Sequence, residues 1–193
     1  MVHDWFAVRG LARCFLALCV VTGIGVGTPS VADQSDPRLP FLFEDLERAD
    51  SPARAALIER QIWVIWGETS DPAAAALMSD GLAAMSAGNT TDALEIFDRL
   101  VVAAPDLAEG WNKRATIHYM LGNFDLSLED IDRTIALEPR HFGALSGQGL
   151  VQLSLGNLGR ALDAFEAALK IHPQMVGASV NAREIRKVLG NDI

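Results

Sequence analysis

Side chains able to do acid–base or metal chemistry are few beyond residue 32, and their spacing argues against both. Three histidines stand there, His118, His141 and His172, at intervals of 23 and 31 residues. Two histidines that ligate zinc from one helix sit at i and i+4 instead. No metal site follows. The carboxylates Asp130 and Asp132 are two apart, which on a helix puts them on different faces. They read as solvent-facing charge, not as a general acid and base. No Gly-x-Ser-x-Gly elbow frames a serine, and neither a GxGxxG turn nor a P-loop occurs. The catalytic, cofactor and metal sets are therefore expected to be empty, and the expected business of the chain is binding.

Charge narrows the partner. The formal net charge is -9, with no basic run to track phosphates, so nucleic acid is excluded as a partner. The acidity is uneven: residues 33–110 carry 15 acidic and 5 basic residues, whereas residues 111–193 carry 9 of each. Electrostatic steering would act through the first half.

The opening residues read as an address. Arg9 and Arg13 precede an apolar run from Cys14 to Val26, and Ser30-Val31-Ala32 supplies the small residues a signal peptidase requires. Residues 1–32 are expected to be a signal peptide cleaved before Asp33, which makes the protein periplasmic or secreted. The alternative is an uncleaved anchor in the inner membrane with the rest facing the periplasm. The run is short of the roughly 20 residues that span a bilayer, so no stable transmembrane span is expected after cleavage. Both cysteines, Cys14 and Cys19, lie in this segment, which leaves no thiol for a disulfide, a metal or a nucleophile in the rest.

The elements that would position a binding surface come from a repeat. Pro105, Pro139 and Pro173 are spaced by 34 residues, and Gly-Asn recurs on the same beat at Gly88, Gly122, Gly156 and Gly190. Between each Gly-Asn and the next proline lies helical spacing of apolar residues: Ala93, Phe97 and Leu100, then Leu126, Ile131 and Ile135, then Ala161, Phe165 and Ala168. Gly-Asn tolerates the left-handed conformation that ends one helix before the next. Each unit is helix, turn, helix. Asp71 before Pro72 starts one helix, and Asp106 with Glu109 has capping-box spacing before another.

These residues resemble the tetratricopeptide repeat family. In unit 108–141, Trp111, Ala115, Gly122 and Pro139 stand at family positions. So do Gly81, Gly88, Ala93, Phe97 and Pro105 in unit 74–107, and Gly149, Gly156, Ala161, Phe165, Ala168 and Pro173 in unit 142–175. Leu77 and Leu145 depart from the family's tryptophan, and Ser127 and Thr134 from its alanines. The resemblance implies an all-α, right-handed α-solenoid of three repeats. Residues 33–39 are expected to form a flexible leader and residues 40–73 an irregular helical pair capping the first repeat, with Trp63 and Trp66 packed into that junction or gripping a ligand. Residues 176–193 fall where a fourth unit begins and are expected to cap the last repeat, with Arg183, Glu184, Arg186 and Lys187 facing water.

The resemblance also implies a concave groove lined by the first helix of each unit. Its positions here are Met78, Leu82 and Met85, then Asn112, Thr116 and Tyr119, then Ser146, Leu150 and Leu153. Relatives that clasp an acidic carboxyl-terminal tail use lysine, asparagine and arginine there, and only Asn112 fits. An apolar or amphipathic segment of another protein is the expected occupant. Two functions follow from this surface. One is a scaffold or assembly factor in the cell envelope; the other is a regulatory or substrate-presenting subunit of an enzyme acting on cell-wall or surface polymers.

Overall fold

The computed structural model describes residues 33–190, so the signal-peptide reading of residues 1–32 lies outside the described residues. Among the described residues the elements are nine helices and no strand: α1 Leu39–Glu47, α2 Pro52–Gly67, α3 Pro72–Ser86, α4 Thr90–Ala103, α5 Ala108–Met120, α6 Phe124–Leu137, α7 Phe142–Ser154, α8 Leu158–Ile171 and α9 Val176–Leu189. None of these helices is long and apolar enough to cross a membrane.

Local chemistry sets the boundaries. Ser51 accepts the Arg54 N–H with Pro52 in the first turn, and Asp71 accepts the Ala73 N–H at 2.8 Å with Pro72 likewise placed. Gly88, Gly122, Gly156 and Gly190 all adopt φ between 70° and 76°. At the first of these the Asn89 N–H reaches back to the Ala84 carbonyl at 2.9 Å, so the turn satisfies the helix end it closes. The expected capping box at Asp106 is absent. Leu107 occupies the N-cap of α5 without a side-chain bond, and Glu109 turns inward.

Helices α3 and α4, α5 and α6, and α7 and α8 pack as hairpins; α4 on α5, α6 on α7 and α8 on α9 join them into a stack. Each hairpin centres a core that also takes in residues of the helix after it, as Ile117 of α5 joins the first and Ala144 and Val151 of α7 join the second. Phe97 and Phe165 fill the first and third, and a Cβ on Gly81 would come within 2.6 Å of the Phe97 ring. The middle unit uses Ala115 opposite Ile131, a larger small residue against a smaller large one. Its departures from alanine also fit: Ser127 and Thr134 are fully buried, and their hydroxyls donate to the carbonyls of Ala115 at 2.9 Å and Asp130 at 2.8 Å. Leu126, expected on the inner stripe, is exposed, because Ser127 takes the inward position.

The expected solvent exposure of the Asp130 and Asp132 carboxylates holds for only one of them, because the other is ion-paired. Asp130 is buried, held by Arg114 at 2.6 and 2.8 Å, and Arg114 also reaches Asp98 at 2.9 Å; Asp132 alone faces solvent. Trp111 is only half-buried. Its indole N–H donates to the Pro105 carbonyl at 2.9 Å, and the Arg114 guanidinium lies 4.9 Å from its ring. Trp111→Ala is therefore expected to cost well under the roughly 3 to 5 kcal/mol of a fully buried tryptophan, as read from chemical denaturation. His118 is buried 3.9 Å from Asp130.

The N-terminal pair differs most from expectation. It does not cap the first repeat: α2 packs on α5, and α1 packs on α8. The hairpin lies along the edge of the stack where each second helix hands over to the next unit. Nor is the leader loose. The Gln34 side chain accepts the Ala108 N–H at 3.2 Å and donates to the Asp106 carbonyl, and Asp36 is buried against Arg38.

Candidate functional site

The first helices of the three units, α3, α5 and α7, carry all nine expected groove residues, and the structure divides them. Asn112, Thr116, Tyr119, Ser146 and Leu150 come together around a cleft of about 170 Å³ between α5 and α7, floored by Ala115 and Ile131 and closed at one end by Met175. Small side chains make this space: Gly143, Ser146 and Gly147 put almost nothing on the facing wall of α7. Met78 and Leu82 line a different, wider cleft of about 440 Å³, whose opposite wall is α2 through Arg60, Trp63, Val64 and Gly67. Met85 and Leu153 line neither cleft; they pack, half-buried, on the cores of the first and third units. Met78 is itself 3% exposed and belongs to the first core, so it is chiefly a packing residue, whereas Leu82 is 42% exposed.

Beside the smaller cleft lies a buried polar cluster. The Glu109 carboxylate accepts from Asn112 Nδ2 at 2.8 Å, from Lys113 Nζ at 2.7 Å and from His141 Nε2 at 3.0 Å. His141 Nδ1 accepts the Ala144 N–H at 3.0 Å, capping α7. That bond assigns the ring proton to Nε2, and with it the donation to Glu109. Burial alone would push the Glu109 carboxyl up, but His141 and Lys113 together outweigh it and hold it below the usual carboxylate range. The cluster joins the second and third units and fixes Asn112 in place.

The tryptophans belong to this neighbourhood as packing groups. Trp66 is fully buried and stacks on His141 with centroids 4.1 Å apart and planes 10° off parallel; Trp63 meets Phe142 edge-on at 5.4 Å. Lys113 Nζ sits 5.0 Å over the Trp63 ring. Glu59, one turn before Trp63, accepts from the Trp63 indole at 3.0 Å and from His172 Nε2 at 3.3 Å, and the His172 bond first, then the indole, keeps its carboxyl low against the opposing effect of burial.

Comparison with known proteins establishes the kinship of this fold. The tetratricopeptide repeat model matches residues 43–108 and 112–176, well over half of the chain. The chain belongs to the tetratricopeptide repeat family. The first match takes in the second half of α1 and all of α2, which the structure places outside the regular stack. A TPR repeat-containing protein of Rhizobium etli is 36% identical over 87 residues, 45% of this chain and 43% of that protein, so the chain spans under half of that relative's length. Among solved structures, the first TPR of Spaghetti (RPAP3) bound to an HSP90 peptide matches with a TM-score of 0.59 at 23% identity, over 61% of this chain and 93% of that one. MamA matches with a TM-score of 0.59 at 23% identity, over 72% and 80%. These likenesses concern the fold.

The polar cluster and the docking of α2 on it escaped the sequence reading. Among the described residues no group of three His, Cys, Asp or Glu side chains converges as a metal would require.

Proposed function

We propose that this TPR chain is an exported scaffold or assembly factor of the cell envelope that holds a segment of another protein against its concave face. The observation that carries the reading is the cleft between α5 and α7, an open space lined by five of the nine groove residues, with Asn112 held by Glu109 and Tyr119 and Leu150 packed on the cores beside it. Its floor is apolar and its rim is made of hydroxyl and amide groups, which suits an apolar side chain on a segment whose backbone the rim can bond. The HSP90 peptide of the Spaghetti structure is an example of a peptide held by such a fold. An acidic tail of that kind is a poor match here, because Lys113 is already paired with Glu109. The envelope setting is supported by residues 1–32 alone. In the alternative reading, a subunit presenting a polymer to an enzyme, the contact would fall to Trp63 at the wider cleft, since Trp66 is fully buried.

The test pairs Leu82→Glu with Ser146→Arg, one substitution in each cleft, both at positions that are not fully buried. Glu95→Ala with Asp132→Ala is the control, because both carboxylates are exposed and neither pairs with Arg114. Crosslinking in the native envelope should lose the main partner in the groove variant and keep it in the control, with melting temperatures near wild type. The native protein should begin near Asp33 and lie outside the cytoplasm. Retention of every partner by the groove variant would reject the groove, and full-length protein in the cytosol would reject export.

A further inference from the structure

The α1–α2 hairpin is placed by surfaces remote from it in sequence. Along one face α2 presents Glu59, Trp63 and Trp66, an acid and two indoles at i, i+4 and i+7. Opposite them the repeats supply a matching feature for each. His172 Nε2 meets Glu59, the Lys113 ammonium lies over Trp63, and the His141 ring stacks flat on Trp66. The match extends to backbone. Gly143 opens the first turn of α7, and any Cβ there would overlap the Trp63 ring. We propose that this edge of the stack is a docking surface for a helix bearing an acid and two indoles in that register, and that α2 is its internal, displaceable occupant. The proposal rests on the binding-module reading above, but its test needs no native partner.

Displaceability follows from how the contact is built. Three buried side-chain polar atoms lack a hydrogen-bond partner among the described residues, and two of them, Trp66 Nε1 and His172 Nδ1, lie at this junction. Both would regain water if the hairpin lifted, so docking carries a desolvation cost with no bond in return. The repeats do not depend on the hairpin for their cores. The cluster that contains Leu39, Phe43, Leu46, Ile62 and Trp66 draws from the repeats only Phe142, Ile171 and Met175, while Phe97, Ile131 and Phe165 anchor separate clusters. Residues 68–71 tether the hairpin to α3, on which α2 does not principally pack, and an open cleft already separates the two. Lifting the hairpin would bare Glu109, Lys113 and Gly143 beside the α5–α7 cleft. A partner helix of the same pattern would then continue the concave surface in place of α2.

Hydrogen exchange and peptide binding on the full chain test this together. In the unaltered chain, amides of residues 39–67 should exchange about ten-fold or more faster than those of α5–α8, and Glu59→Ala with Trp63→Ala should widen that gap, since Glu59 lies outside the hairpin's buried core and Trp63 is only partly buried against it. A fluorescein-labelled synthetic peptide of residues 36–68 should bind that double variant at least about ten-fold tighter than it binds the unaltered chain, whose own hairpin competes. Adding Gly143→Ala to the double variant should abolish the binding. Exchange of residues 39–67 in step with α5–α8 in both proteins, failure of the peptide to bind the double variant, or binding indifferent to Gly143→Ala would each overturn the proposal. None of these results depends on whether the concave cleft binds a partner.

Discussion

Glu109→Ala is expected to cost the fold about 3 to 5 kcal/mol, because it strips the partner from a half-buried ammonium, a buried imidazole N–H and a buried amide at once. Lys113, His141 and Asn112 all converge on that carboxylate, and none has a second acceptor in reach. The melting temperature should fall by on the order of 10 °C. Glu109→Gln keeps the shape and one acceptor, so it should fall between the two. Acid titration separates charge from shape. A carboxyl held below its ordinary value of 4.5 in the folded state contributes stability that is fully present above that value. That stability is lost as pH falls through the folded-state value. Glu59 is shifted in the same direction and adds to the same loss. The unaltered protein should therefore lose melting temperature as pH is lowered below about 4.5, and Glu109→Gln should show a shallower decline over the same range. A variant as stable as the unaltered chain, or one with the same acid slope, would show that Glu109 is not the keystone of the junction between the second and third units.

The repeats were legible because each of their rules is local. A glycine at positive φ, a proline after the second helix and an aromatic opposite a glycine need no knowledge of the rest of the chain; the first two recur every 34 residues, and the third stands in the first and third units. The compensation at Ala115 and Ile131 was readable in the same way. What could not be read was where α1 and α2 dock, since that contact links residues far apart in the chain, as His172 and Glu59 do across 113 positions. A trace of it was present as a break in the repeat. Glu109 stands on the beat of Ala75 and Gly143, and His141 on the beat of Leu107 and Met175. A charge among small residues and an imidazole among apolar ones mark positions where one unit meets something the others do not. Asp130 misled the reading for a related reason: its partner Arg114 lies on the other helix of the unit, 16 residues away, and spacing within one helix cannot reveal it.

Removal of residues 176–193 should abolish soluble, cooperative folding. In a solenoid each unit is stabilised by its neighbours, so the last one suffers most from an exposed face. Here that face is substantial: α9 buries Ala178, Ala182 and Ile185 against a cluster that includes Leu145, Phe165 and Ala168, and Arg186 fastens it to Glu166 at 2.8 Å. Without α9 the third unit would present that cluster to water, and an apolar patch of that kind drives association. The truncated chain should lose helical ellipticity or elute as aggregate at concentrations where the full chain is monodisperse. Ala182→Asp gives the same answer without shortening the chain, because it puts an unpaired carboxylate at a site with no exposure. Its effect should concentrate in α7, α8 and α9 when followed by hydrogen exchange, while α3 and α4 stay protected, since the first unit has its own core around Phe97. A truncation that stays soluble and melts in one sharp transition would mean that the third unit needs no cap, and that α9 is held in place for some purpose other than stability.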